Sequence, residues 1–107
     1  MALYMYQASY TSEAWAALVK KPQDRAKAIA PMARKLKGRI RDVYFTFGDY
    51  DLVVIAEFPD NETAAAFSLA AAAGGALKAI KTTPLMTVPK GMTAMRRAKQ
   101  ARYTPPA

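Results

Sequence analysis

The stretch Tyr44-Phe45-Thr46-Phe47-Gly48-Asp49-Tyr50-Asp51-Leu52-Val53-Val54-Ile55-Ala56 sets two β-rich runs on either side of a Gly-Asp-Tyr-Asp corner. Aromatic and β-branched residues dominate both arms, and a glycine with flanking aspartates is turn chemistry, so the stretch predicts an antiparallel hairpin. The arms extend to Arg39–Phe47 and Asp51–Phe58.

Working outward, Leu3–Tyr10 alternates in side-chain character with no glycine or proline and predicts a first strand. Thr11-Ser12-Glu13 supplies a hydroxyl cap and a first-turn acid for a short helix carrying Trp15, Leu18 and Val19, which ends near Lys21. Pro22 suits the first turn of a second helical stretch, whose apolar face is Ala26, Ile29, Ala30, Ala33 and Leu36 and whose stop is Gly38. Pro31 lies inside it and predicts a kink or break near Lys27–Ala30. Beyond the hairpin, Pro59-Asp60-Asn61-Glu62-Thr63 opens an alanine-rich helix that Gly74-Gly75 ends. Ala79–Val88 reads as a fourth strand, Pro89 opens a last helix, and residues 103–107 form an extended tail.

Strand, helix, strand, strand, helix, strand is the ferredoxin-like βαββαβ order of the α+β class, with a four-stranded antiparallel sheet, helices on one face and an added C-terminal helix. At 107 residues the chain is expected to form one domain. The second sheet face should then alternate apolar with charged residues if it meets water. It does not: Leu52, Val54, Ala56 and Phe58 oppose Val53 and Ile55, while Val43, Phe45 and Phe47 oppose Ile40, Tyr44 and Thr46. A patch of Tyr4 or Leu3 with Tyr44, Val53 and Ile55 on the uncovered side predicts association with further copies of the chain.

The inventory is restrictive. With no cysteine and no histidine, disulfides, thiolate nucleophiles, the usual zinc sites and Ser-His or Cys-His pairs are excluded. No metal and no cofactor is expected. The first basic residue is Lys20, and the apolar run Ala64–Leu77 is broken by Ser68 and Gly74-Gly75, so the expectation is a cytoplasmic protein with no membrane partner. Charge is uneven: residues 1–62 hold nine basic and eight acidic residues, whereas residues 63–107 hold seven basic and none acidic. Lys90, Arg96, Arg97, Lys99 and Arg102 crowd the last segment, with Arg96 and Lys99 one helical turn apart. They read either as a solvated face or as a weak site for a polyanion such as nucleic acid.

Asp49 and Asp51 flank Tyr50. One reading makes them a ligand-binding or acid-base group, which as a cofactor-free enzyme would use all three. The other is turn chemistry, in which Gly48 supplies unusual backbone angles and Asp49 bonds nearby amides. Tyr6 and Tyr44, with the tyrosines at 4, 10 and 50, would line either a small-molecule site at the sheet face or an oligomer interface, where tyrosine is enriched. Gly74-Gly75-Ala76-Leu77-Lys78 follows a helix and reads as a cap, not a phosphate loop.

The corner Gly48-Asp49-Tyr50-Asp51 resembles the signature of the GYD domain family, small bacterial and archaeal proteins. The likeness extends to Tyr10-Thr11-Ser12, Leu36-Lys37-Gly38-Arg39, Pro59-Asp60-Asn61, Lys81-Thr82-Thr83 and Tyr103-Thr104-Pro105-Pro106. The resemblance implies a ferredoxin-like fold similar to the dimeric α/β barrel proteins, and it carries no general activity.

Overall fold

A computed structural model describes all residues, Met1–Ala107. Eight elements follow in order: β1 (Ala2–Tyr10), α1 (Ser12–Lys20), α2 (Arg25–Lys35), β2 (Arg39–Phe45), β3 (Leu52–Phe58), α3 (Asn61–Ala73), β4 (Leu77–Leu85) and α4 (Val88–Ala101). All strand pairs are antiparallel, in the order β2-β3-β1-β4. This is the ferredoxin-like α+β arrangement. No helix is long and apolar enough to cross a membrane.

The helix starts follow capping chemistry. Thr11 caps α1 by accepting from Ala14 N–H, and Asp60 caps α3 by accepting from Thr63 N–H. The Thr63 side-chain and backbone donors to Asp60 hold that carboxyl below its ordinary range. For α2 the start differs from expectation: Asp24, not Pro22, sets it, because its carboxylate accepts from both Ala26 and Lys27 N–H. Pro31 does not break the helix. Both Pro31 and Lys27 are exposed, so the carbonyl that loses its partner faces water.

The end of α2 corrects the reading of Gly38. The left-handed residue is Lys37 at φ 60°, and Gly38 N–H donates to Ala33 O in a Schellman-type closure. Gly38 is required for another reason: a Cβ there would collide with the ring of Phe58, which is fully buried, and would lie 2.6 Å from the Glu57 carbonyl oxygen. Opposite outcomes are therefore expected at adjacent positions. Gly38→Ala should cost about 2 kcal/mol through overpacking, and Lys37→Gly should stabilise by about 1 kcal/mol through relief of the left-handed backbone. Urea unfolding of the two variants measures both.

The core sits on the helix-covered face. Tyr4, Tyr6, Ala8 and Tyr10 of β1 and Leu52, Val54, Ala56 and Phe58 of β3 meet Ala33, Ala64 and Phe67 from the helices. Tyr4 thus belongs to the core, and of the alternatives Tyr4 or Leu3 it is Leu3 that lies on the bare face. In β2 the register shifts between Ile40 and Asp42, which places Ile40 opposite Ala56 on the same face as Val43 opposite Val54. Simple alternation puts them on opposite faces; the bulge inserts one residue and returns Ile40 to the core side. β2 ends at Phe45, so Phe47 lies outside the strand and is fully exposed. β4 runs earlier than expected, at Leu77–Leu85, and Val88 begins α4 after its cap Thr87.

α2 packs on β2, whereas α3 packs on β4 and β3, so the two helices stand apart over the sheet. α4 makes no more than glancing contact with any other element. The radius of gyration is 17.2 Å, against about 13 Å for a compact chain of this length. The excess is α4, an arm about 21 Å long that projects from the body.

Candidate functional site: the corner and the bare sheet face

The corner between β2 and β3 is a six-residue loop, Thr46–Asp51. Thr46 N–H donates to Asp51 O at 2.9 Å, and Thr46 Oγ1 donates to Tyr50 O at 2.6 Å, closing it. Three further bonds fasten it to the end of β1. Asp51 N–H donates to Ala8 O (2.8 Å), Ser9 Oγ donates to Asp49 O (3.0 Å), and Tyr10 N–H donates to Asp51 Oδ2 (2.9 Å). The same Oδ2 accepts from Trp15 Nε1 at 3.0 Å. Asp51 therefore ties three elements together through one carboxylate oxygen. Trp15 in turn packs edge-on to Tyr10 at 5.2 Å and tilts over Phe45 at 6.2 Å.

The two corner aspartates thus separate. Asp51 faces α1 and its Oδ2 serves two donors, while Asp49 is exposed and its side chain makes no hydrogen bond within the chain. Gly48 has no positive φ, so the corner does not depend on a glycine backbone there. Asp49 and Tyr50 do come together with Gln7, Thr46 and Val53 around an open depression of about 300 Å³. Tyr44 pairs with Val53 on the same side of the sheet and is 60% exposed. No three histidine, cysteine or acidic side chains meet in a way that would hold a metal ion.

Tyr6 lies on the other side. It is buried against Phe67 and Phe58, and its hydroxyl donates to Ala64 O at 2.7 Å. Tyr6 and Tyr44 therefore cannot share a pocket. Burial, with the neighbouring Tyr4 hydroxyl adding to it, raises the Tyr6 pKa well above the ordinary tyrosine value. The consequence has a definite sign. Below about pH 10 both folded and unfolded chains keep the proton; above it only the unfolded chain ionises, so stability falls by about 1.4 kcal/mol per pH unit. The raised folded-state pKa predicts an alkaline unfolding limb, which Tyr6→Phe should flatten in melts between pH 9 and pH 12.

The bare face is built in three rows across the sheet. Tyr44, Val53, Gln7 and Lys81 form one; Asp42, Ile55, Met5 and Thr83 the next; Arg39, Glu57, Leu3 and Leu85 the third. Charge is confined to the two ends of the rows except at Glu57, which Arg39 pairs at 2.7 Å and Arg41 at 3.5 Å. The middle is Leu3, Met5, Val53 and Ile55, all partly exposed. Sequence reasoning missed the Asp51 to Trp15 link, since no spacing rule joins residues 36 positions apart.

Among the basic residues, Lys90, Arg96, Arg97, Lys99 and Arg102 all lie on or directly after α4 and all are exposed. The helix also carries Val88, Met92 and Met95 at one-turn intervals, each about half or more exposed.

Comparison with known proteins is consistent with this architecture. The structure of MtbAldR superposes with a TM-score of 0.58 at 20% identity, covering 80% of this chain and 52% of that one, so the chain spans about half its length. The protein At3g17210 of Arabidopsis thaliana gives 0.57 at 11% identity, covering 82% and 96%. FFRP-DM1 gives 0.51 at 14% identity, covering 80% and 100%. At such identities the likeness is one of fold. No curated protein matches the chain. A model of the GYD domain matches residues 4–95, a span that includes all of β1 but its first two residues, the whole of β2, β3 and β4, the corner and the first part of α4, and the chain belongs to the GYD domain family.

Proposed function

We propose that the protein is a homo-oligomeric binding or assembly protein whose copies join through the bare sheet face, with any small molecule held at that face or where subunits meet. The observation that carries this reading is the apolar centre Leu3, Met5, Val53 and Ile55, on a face that no element of the chain covers. Burying it against the same face of another copy removes apolar area on both partners at about 25 cal/mol per Å². The projecting α4, with its uncovered Val88, Met92 and Met95, supports the same reading, because a second copy offers it a surface to rest on.

A cofactor-free enzyme is less well supported. Asp51 already serves two donors, which leaves Asp49 and Tyr50 alone at an open depression. Native mass spectrometry of gently purified protein separates the outcomes. Dimers or higher multiples are expected; an added mass on them identifies a binder, and bare multiples identify a scaffold. A monomer throughout would defeat the reading.

One observation favours a second role, contact with polyanions: an exposed helix carries Lys90, Arg96, Arg97 and Lys99 and no acid. Such contact requires affinity for duplex DNA that falls steeply between low and moderate salt; absence of binding at low salt removes it.

A further inference from the structure

The gap between α2 and α3 opens a cleft of about 290 Å³ onto the core face of the sheet, on the side opposite the proposed contact face. Its floor is apolar and comes from β1, β3 and β4. Its α2 wall combines Ala28 with the larger Ile29 and Met32, and on the other side the small Ala70 and Ala71 of α3 keep the slot open. A volume near the lower end of those that hold small ligands, enclosed between two helices, suits a compact molecule and not a helix or strand of another protein.

The polar groups at this cleft are few. Arg25 is the single charged residue among those lining it, and no acidic residue lines it. Arg25 takes part in neither of the two ion pairs of the chain; its Nη1 donates to the neutral Gln23 Oε1 at 3.0 Å. The adjacent Asp24 does not neutralise it, since that carboxylate is turned to the amides of Ala26 and Lys27. Tyr10 also lines the cleft, and its hydroxyl is engaged with no protein group. A guanidinium with free donors beside an apolar slot matches a carboxylate on an apolar body, which forms charge-assisted hydrogen bonds at one end and buries hydrocarbon at the other.

We infer that this cleft is a binding site for a small amphipathic acid, an aliphatic or aromatic carboxylate whose apolar part lies over Ala8, Leu52 and Val54 and whose carboxylate meets Arg25. The inference does not rest on the oligomer, because the two sites occupy opposite faces of the sheet.

The test is titration calorimetry of the full chain with decanoate, decanol and decylamine, each below its micelle concentration. Saturable binding of one decanoate per chain is expected, with decanol weaker and decylamine weakest. Arg25→Gln should weaken decanoate at least about tenfold and leave decanol unchanged, and Arg25→Lys should recover most of the loss. Ala71→Leu should fill the slot and abolish binding of both decanoate and decanol; Ala28→Leu, from the opposite wall, gives the same result independently if Ala71→Leu fails to fold. Equal affinity for decanol and decanoate, indifference to Arg25→Gln, or no saturable binding would each overturn the assignment.

Discussion

If copies join through the bare face as proposed, Met5→Lys should leave the chain a folded monomer at micromolar concentration, where the parent is oligomeric. Met5 stands at the centre of the bare face, in the row with Ile55 and Thr83, on a central strand. In a symmetric contact each substitution is felt twice, and an ammonium buried there without a partner costs several kcal/mol. About 3 kcal/mol already weakens association more than a hundredfold. Glu57, the acidic diagonal neighbour of Met5, is already paired by Arg39 and Arg41 and does not answer the new charge. Within one copy the cost is small, because Met5 is partly exposed and a lysine stem covers similar apolar surface. Light scattering with circular dichroism reads both quantities. The volume-conserving Met5→Leu should remain oligomeric, and a Met5→Lys variant that stays oligomeric would place the contact elsewhere.

Asp51→Ala should lower stability by about 3 kcal/mol, and the melting temperature by more than about 10 °C. The carboxylate removed is the acceptor for both Tyr10 N–H and the Trp15 indole N–H, and both donors lie in partly buried positions. Asp51→Asn keeps one acceptor oxygen and should lose only about 1 kcal/mol. Trp15 is the sole tryptophan, so its fluorescence reports the loss directly. Asp49→Asn, by contrast, should melt like the parent, since that side chain is exposed and makes no bond within the chain. Equal losses from Asp49 and Asp51 would contradict the division of roles drawn between them.

The fold was legible where the code is local. The apolar arms around Gly48-Asp49-Tyr50-Asp51 mark a hairpin, the hydroxyl and acid caps at Thr11 and Asp60 mark helix starts, and Gly75 takes the left-handed angle at the end of α3. What was not legible depends on contacts between distant residues. Tyrosine suits either a core or an exposed face, so β1 alone does not say whether Tyr4 or Leu3 turns inward; pairing with β3 decides it. The bulge beside Arg41 moves Ile40 to the core without a proline or glycine to announce it. Lys37 in a left-handed conformation is hidden by the glycine that follows it, which is there to clear Phe58. The candidate site was legible only in part. Asp49, Tyr50 and Tyr44 do lie on one side of the sheet, but Tyr6 and Asp51 serve the other, and the cleft beside Arg25 arises from the spacing of α2 and α3, which no residue pattern encodes.

Because the chain has no cysteine, a single Lys81→Cys variant carries one spin label at one known place, at the edge of the bare face in line with Gln7, Val53 and Tyr44. Pulsed dipolar spectroscopy on that variant measures whether two such faces meet. Contact through the bare face predicts one defined inter-subunit distance that vanishes when Met5→Lys is added; no dipolar modulation, or a distance that survives Met5→Lys, would contradict it.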